Sequence, residues 1–377
     1  MNFGFNEEQE LLRSTARKFF ENECASQVVR TLMETPEGVT PALWSKLAEQ
    51  GWLGLTYPEA YDGMGLGLVD LVVLMEEMGR AVVPGPYFSA VLLGGGIIVE
   101  AGSEAQKKEW LPKIAGGQAR VTLAWMEPSA ELGPDGITLA ALEKGGTYTL
   151  SGTKLFVHDA HTADAIVVAA RTGKSGADGI SLFLVPKAAN GLTVTLLPTM
   201  DQTRKLCEVT LKDVSLGADA RLGETGGGWT ALARVLDRAT VALCAEMCGG
   251  AQKVLDMTVE YAKIRQAFGR PIGSYQGVKH KAADMLVDVE NSKSITYYAA
   301  WAMDEGVSEG PLAVSMAKAY VSDAYRRVSA NGIQLHGGIG FTWEHDLHLY
   351  FKRAKGSEFT FGDATFHRER VAQLVNL

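Results

Sequence analysis

The sequence predicts an α+β protein in three consecutive parts: helical over residues 1–118, β over 119–222, and helical again over 223–377. Three observations predict this order. Apolar residues recur at helical spacing near the start, with Leu11, Leu12, Ala16, Phe19 and Phe20 separated by Glu and Arg. From Arg120 to about Arg221, short β-branched runs alternate with clusters of Gly, Asp, Asn and Lys. From Gly228 the helical period returns and stays.

Within the first part, Tyr57-Pro58-Glu59-Ala60-Tyr61-Asp62-Gly63-Met64-Gly65 has turn chemistry and interrupts the helices. A helix is expected over Leu68–Arg80, and Pro84, Gly85 and Pro86 break the pattern after it. Ser103-Glu104-Ala105-Gln106 has N-cap chemistry, and Gly116-Gly117 ends the segment. In the middle part the strand candidates are Val121–Trp125, Tyr148–Ser151, Ala165–Ala170, Ile180–Val185 and Leu192–Leu197. Runs so short and so closely spaced fit an all-β, barrel-like domain. In the last part, Ala231–Arg265, Tyr275–Glu305 and Leu312–Asn331 are long enough to pack as a bundle.

The chain has 377 residues, 46% of them hydrophobic and 21% charged, which suits two or three globular domains. A net charge of -8 argues against a nucleic-acid footprint, which needs clustered Lys and Arg. It leaves room for a local basic pocket that takes an anionic ligand. Cys24, Cys207, Cys244 and Cys248 form no CxxC pair, so a reducing compartment is expected. Cys244 and Cys248, four apart on a helical stretch, read as small core residues rather than metal ligands. The opening residues lack the basic and apolar regions of a signal peptide. The longest apolar run, near Val91–Val99, is too short to span a bilayer and carries three glycines. A cytoplasmic protein is expected.

Three short motifs carry chemistry. Arg265-Gln266-Ala267-Phe268-Gly269-Arg270-Pro271 closes a long helix and presents a cation and an aromatic ring at its end. Tyr275-Gln276 follows about ten residues after the start of that motif. Gln334-Leu335-His336-Gly337-Gly338-Ile339-Gly340 is a glycine-rich turn after a helix, where the backbone can approach a ligand closely. Alone, each is a helix cap or a loop. Together, in this order and in an α–β–α chain, they resemble the acyl-CoA dehydrogenase family. The resemblance runs through Phe5-Asn6-Glu7-Glu8-Gln9, Trp52-Leu53-Gly54-Leu55 and Glu127-Pro128 as well, and so covers essentially the whole chain.

The resemblance implies an FAD-dependent oxidoreductase acting on an acyl-CoA, with an electron-transferring flavoprotein as acceptor and a homo- or heterotetrameric assembly. It implies that Arg265 and Phe268 reach the FAD of a neighbouring subunit, with Arg265 at the pyrophosphate, where a guanidinium gives bidentate contacts. Tyr275 and Gln276 are expected along the same cofactor, and Gln334, Gly337 and Gly338 around its adenosine half. Leu123, Trp125, Met126, Phe156 and His158 are expected to border the isoalloxazine ring. Phe156 and His158 replace the family's usual Trp and Thr, and His158 also reads as an ordinary packed histidine.

The family's reaction pairs loss of an α-proton to a carboxylate with hydride transfer to the flavin. The usual Glu lies in a Tyr-Glu-Gly-Thr stretch; the matching stretch here is Thr360-Phe361-Gly362-Asp363. Phe361 therefore stands where the Glu is expected. The alternative helix position of some relatives falls on Ala239. Three readings stay open. Asp363 is the base, offset along a tight turn. Glu246, about two helical turns from Ala239, is the base. Or the chain works beside a different, catalytic subunit, as in heteromeric relatives with a Phe-Gly-Asp ending that act on steroid side chains and cyclic acids. A flavin oxidase on the same fold is a further alternative.

Overall fold

A computed structural model describes residues 4–377. In chain order the helices of the first part are α1 (Glu7–Glu23), α2 (Ser26–Glu34), α3 (Pro41–Glu49) and α4 (Leu68–Arg80). A π-helical stretch over Phe88–Gly95 then runs into α5 (Gly96–Ala101), and α6 (Glu104–Ala115) follows. The strands are β1 (Val121–Ala124), β2 (Ala140–Lys144), β3 (Thr147–His158), β4 (Ala165–Arg171), β5 (Ile180–Pro186), β6 (Leu192–Leu197), β7 (Leu206–Gly217) and β8 (Arg221–Leu222). After them come α7 (Gly228–Ile264), a small hairpin β9 (Gln266–Ala267) and β10 (Arg270–Pro271), then α8 (Gln276–Asp304), α9 (Gly310–His336), α10 (Leu347–Phe359) and α11 (Ala364–Leu374). The helical–β–helical order is as expected. The sequence pattern does not single out the short helices α2, α3, α10 and α11.

The chain divides into two compact units. One holds Leu32–Leu66 and Pro84–Ala239 and contains the eight-stranded sheet. Its strands run in the order β6-β7-β3-β2-β4-β5-β8, with β1 also paired to β4. Most neighbours are antiparallel, but β1 and β2 both run parallel to β4. Val121–Ala124 pair with Ala165–Val168, and Ala140 pairs with Arg171. On the other side, β2 lies antiparallel to the start of β3, while Leu155 N donates to Met126 O at 2.9 Å. β1 and β2 thus behave as one strand broken in the middle, and residues 125–139 leave the sheet at the break. Behind it lies a core of Val168, Ala170, Phe183, Val185, Val209 and Leu211 with their neighbours.

β2 and β7 were not expected. The longer of the two, β7, alternates inward Cys207, Val209 and Leu211, then slips at Asp213 (φ 53°) before Val214 and Leu216 turn inward. That slip breaks the period of two by which strands are read. β3 is also longer than expected, because two irregularities let it follow β7 over its whole length.

The other unit holds the N-terminal residues through Thr31, Gly67–Val83 and Thr240–Leu377. Asn6 caps α1 reciprocally with Gln9 (2.8 and 3.1 Å). Asp304, at the end of α8, accepts from Leu68 N and Val69 N at 2.9 Å and so satisfies the exposed amides that open α4. α4 and α7 meet backbone to backbone at two glycines. A Cβ on Gly79 would sit 1.8 Å from Glu246 O, and one on Gly249 1.8 Å from Glu76 O. Only glycine permits that approach. α9 packs on α8, α10 and α11 through buried small residues such as Ala313, Ala317 and Ala324.

Candidate active site

In the sheet unit, the break between β1 and β2 gathers the residues expected at the flavin ring. Trp125 and Met126 follow β1 directly, and Leu123 is buried within it. Thr122 Oγ1 donates to His158 O (2.7 Å), and Leu155 N to Met126 O (2.9 Å), so this stretch lies against the end of β3. The structure therefore brings Leu123, Trp125, Met126, Phe156 and His158 together. Phe156 sits at an irregularity of β3 with φ 54°, and the residue is 47% exposed. A bulky residue held in the left-handed region is a strained conformation, kept because the surrounding strands over-determine it. His158 is buried, with its ring 6.1 Å from that of Phe88.

Glu127 is the hub of the loop between β1 and β2. It accepts from Thr138 N (3.0 Å), Leu139 N (2.9 Å), the Thr138 hydroxyl (2.5 Å) and Lys154 Nζ (2.7 Å). Burial pushes its carboxyl up, but the Lys154 ammonium and these hydrogen bonds outweigh burial and hold it below its ordinary value. Lys154 is fully buried on β3 and also donates to Trp125 O (3.1 Å). Burial lowers its ammonium to about 8, against the pull of Glu127. Sequence reasoning named Glu127 but missed Lys154, which lies beyond the strand expected over Tyr148–Ser151.

In the helical unit, α7 ends in the β9–β10 hairpin. Phe268 (φ 50°) and Gly269 (φ 79°) both take left-handed conformations, as a two-residue hairpin turn of type I′ requires. The turn pushes Phe268 into solvent, 97% exposed. Arg265 is exposed, and its guanidinium has no hydrogen-bond or ion-pair partner among the described residues. Tyr275 braces the turn. Its hydroxyl donates to Ala267 O (2.8 Å), and the Arg270 guanidinium lies 4.2 Å from its ring centre. Gln276 opens α8 next to it.

α9 ends at Gly337, with φ 63°. A Cβ on Gly337 or Gly338 would meet no atom within 4 Å, so both backbones face open space. Gln334, one turn earlier, is exposed. The Arg265 guanidinium, exposed and with no partner among the described residues, is a donor of the kind that suits a phosphate, and the open backbone at Gly337 and Gly338 leaves room for a ligand to approach.

The two candidate bases fall in the same unit. Glu246 lies on α7, 4% exposed, and is paired with Arg353 of α10. Asp363 is half-buried and is the N-cap of α11, its Oδ1 accepting from Phe366 N at 2.9 Å. The other carboxylate oxygen has no partner among the described residues. Phe361 is buried with φ 61°, and its carbonyl accepts from His367 Nε2 at 3.0 Å. Ala239 is buried on α7. Arg353, Lys318 and His367, which fix these groups, were not singled out in the sequence; in an amphipathic helix such residues read as surface.

Cys244 and Cys248 are buried in α7, and burial pushes the Cys244 thiol up to about 12. Among the described residues no cluster of His, Cys, Asp or Glu is placed to hold a metal ion. Among them, too, no helix is long and apolar enough to cross a membrane.

Comparison with known proteins matches three family profiles in order. They are the acyl-CoA dehydrogenase N-terminal domain over residues 6–118, the middle domain over 122–214 and the C-terminal domain over 226–375. The chain is 33% identical over 370 residues to the acyl-CoA dehydrogenase IpdE2 of Mycolicibacterium smegmatis, with 98% of each chain covered. It superimposes on butyryl-CoA dehydrogenase from Megasphaera elsdenii with a TM-score of 0.92 at 27% identity, covering 100% of both chains. It superimposes on a chain of the ChsE4–ChsE5 complex from Mycobacterium tuberculosis with a TM-score of 0.91 at 29% identity, covering 100% of this chain and 99% of that one. With all three domains matched in order and the relatives covered end to end, the chain belongs to the acyl-CoA dehydrogenase family of flavoprotein oxidoreductases.

Proposed function

We propose that this chain catalyses FAD-dependent α,β-dehydrogenation of an acyl-CoA thioester. The observation that carries this reading is Arg265, an exposed guanidinium with no partner among the described residues, three positions before the projecting Phe268 of a braced hairpin. When bound, FAD accepts the hydride from the β-carbon. Arg265 supplies charge-assisted bonds to the pyrophosphate, and Phe268 packs with it from a neighbouring subunit. Tyr275 and Gln276 lie along the cofactor, and Gln334, Gly337 and Gly338 take its adenosine half. Leu123, Trp125, Met126, Phe156 and His158 border the ring. A tetramer, with an electron-transferring flavoprotein as acceptor, completes the reading, set in the cytoplasm.

Asp363 is our first choice for the base that takes the α-proton. Its capping bond occupies one oxygen and leaves the other able to accept a proton. Glu246 ranks second, because its pairing with Arg353 must loosen before it can act. A second reading, in which a different subunit supplies the base, is favoured by two observations. Phe361 and Ala239 are both apolar at the positions where relatives carry Glu, and the ChsE4–ChsE5 neighbour is itself a complex of two chains.

The test is to purify the chain, measure bound flavin, and incubate it anaerobically with acyl-CoA thioesters of several sizes. Formation of the enoyl-CoA by the chain alone supports the main reading. Formation only after a second dehydrogenase chain is added supports the second. A chain that binds flavin and oxidises only non-thioester substrates contradicts both.

A further inference from the structure

Lys318 is fully buried on α9, yet all three of its ammonium hydrogens are used. They go to Ser322 Oγ (3.0 Å), to Glu358 O in the last turn of α10 (2.9 Å) and to Gly362 O (2.8 Å). The next carbonyl back, Phe361 O, accepts from the buried His367 (3.0 Å). Asp363 then caps α11. Two consecutive carbonyls of one short loop are thus each held by a buried side chain, around Phe361 at φ 61° and Gly362 at φ 102°. A bare turn between two helices needs no buried ammonium. Taking an ammonium out of water is costly, and such a site persists only where its bonds fix something.

We propose that Lys318 is a positioning residue for the Thr360–Asp363 loop: by holding Gly362 O and Glu358 O it sets where the Phe361 ring and the Asp363 carboxylate stand. This rests on the reading of that loop as the base position. Lys318 is the hinge pin, joining α9, the end of α10 and the loop through one atom. His367 is its companion on the neighbouring carbonyl. The groups facing the ammonium are Cys244 on α7, Glu358 on α10, Asp363 at the cap and, also cationic when protonated, His367 on α11. Burial lowers the Lys318 ammonium to about 8. Above that pH the neutral amine has two hydrogens for three acceptors, and one bond is released.

The experiment compares Lys318→Met and Lys318→Arg with the wild type, using amide exchange over residues 359–367, thermal stability, bound flavin, and kcat and KM for an acyl-CoA. In Lys318→Met, exchange at the Gly362, Phe366 and His367 amides should rise roughly 10–100-fold, as expected for loss of charge-assisted hydrogen bonds. Exchange elsewhere and flavin content should stay near wild type. kcat should fall more than KM rises, and Lys318→Arg should restore part of both. Exchange rising evenly along the chain, or a loop unchanged in Lys318→Met, overturns the proposal. If Lys318→Met does not fold, the wild type and Lys318→Arg decide. Its loop exchange, corrected for the intrinsic effect of pH, should step up between about pH 7 and 9, and in Lys318→Arg it should not. No step overturns the proposal. Should the wild type oxidise no acyl-CoA at all, the catalytic reading fails, while the exchange data still decide the role of Lys318.

Discussion

Lys154 Nζ stands 2.7 Å from Glu127 Oε1 and 3.1 Å from the carbonyl of Trp125, so a lysine from an unbroken strand occupies the place where β1 stops. The ammonium replaces the rung that the sheet loses when residues 125–139 leave it. The loop this pair anchors follows directly on the residues assigned to the flavin ring.

Lys154→Met should therefore cost on the order of 3–5 kcal/mol, because it strands a buried carboxylate. The double variant Lys154→Met/Glu127→Gln should recover part of that loss. Urea denaturation of the two singles and the double measures the coupling. Strictly additive effects would mean that the pair does not anchor the loop.

At the α4–α7 crossing, Gly249→Ala would put a methyl group 1.8 Å from Glu76 O. Helix propensity alone favours Ala by up to ~1 kcal/mol. The clash is with backbone, which cannot swing away, so the net effect should be a loss at or beyond the upper end of the ~1–3 kcal/mol usual for overpacking. A raised melting temperature in Gly249→Ala would show that the helices can separate at little cost.

His367 is buried, and burial followed by the nearby Lys318 ammonium lowers its value to about 4 from an ordinary 6.5. Between those values the unfolded chain binds a proton that the folded chain does not. Stability should then be lost as pH falls from about 6.5 toward 4, by a few kcal/mol at most for this one group. His367→Gln keeps a donor for Phe361 O and does not titrate, so its stability should fall less over that window. Parallel pH curves for the two proteins would remove His367 from the account.

Much of the arrangement could be read in the sequence, for reasons that can be named. The long period of α7, α8 and α9 is local, so Arg265, Tyr275 and Gln334 fall at helix ends by counting alone. What could not be read is non-local or buried. That β1 and β2 form one broken strand depends on pairing with β3 and β4, which no window of sequence contains. Lys154 and Lys318 are lysines, residues that are almost always exposed unless paired, and apart from the nearby Ser322 hydroxyl their partners are backbone carbonyls and a carboxylate 27 or more residues away. Asp363 was read as a candidate base from its neighbours; its capping bond became visible only with α11 in place.

Arg265→Ala should weaken flavin retention roughly 10–100-fold, since a charge-assisted phosphate bond of about 1.5–3 kcal/mol is lost. Dilution followed by separation of free and bound flavin measures it. Arg265→Lys, a point charge without the planar fork, should recover only part. Retention unchanged in Arg265→Ala would remove that residue from the cofactor site.

Whether this chain carries its own base is decided by the rate at which acyl-CoA bleaches the bound flavin in anaerobic stopped flow, wild type against Asp363→Asn. Asparagine caps a helix as well as aspartate does, so the substitution removes the charge and keeps the turn. With Asp363 as the base, Asp363→Asn should keep its flavin and bleach about 10²–10⁴-fold more slowly, the usual contribution of a general base. If Asp363→Asn bleaches at the wild-type rate, Asp363 is not the base; if no acyl-CoA bleaches the wild-type chain alone, catalysis by this chain alone is contradicted.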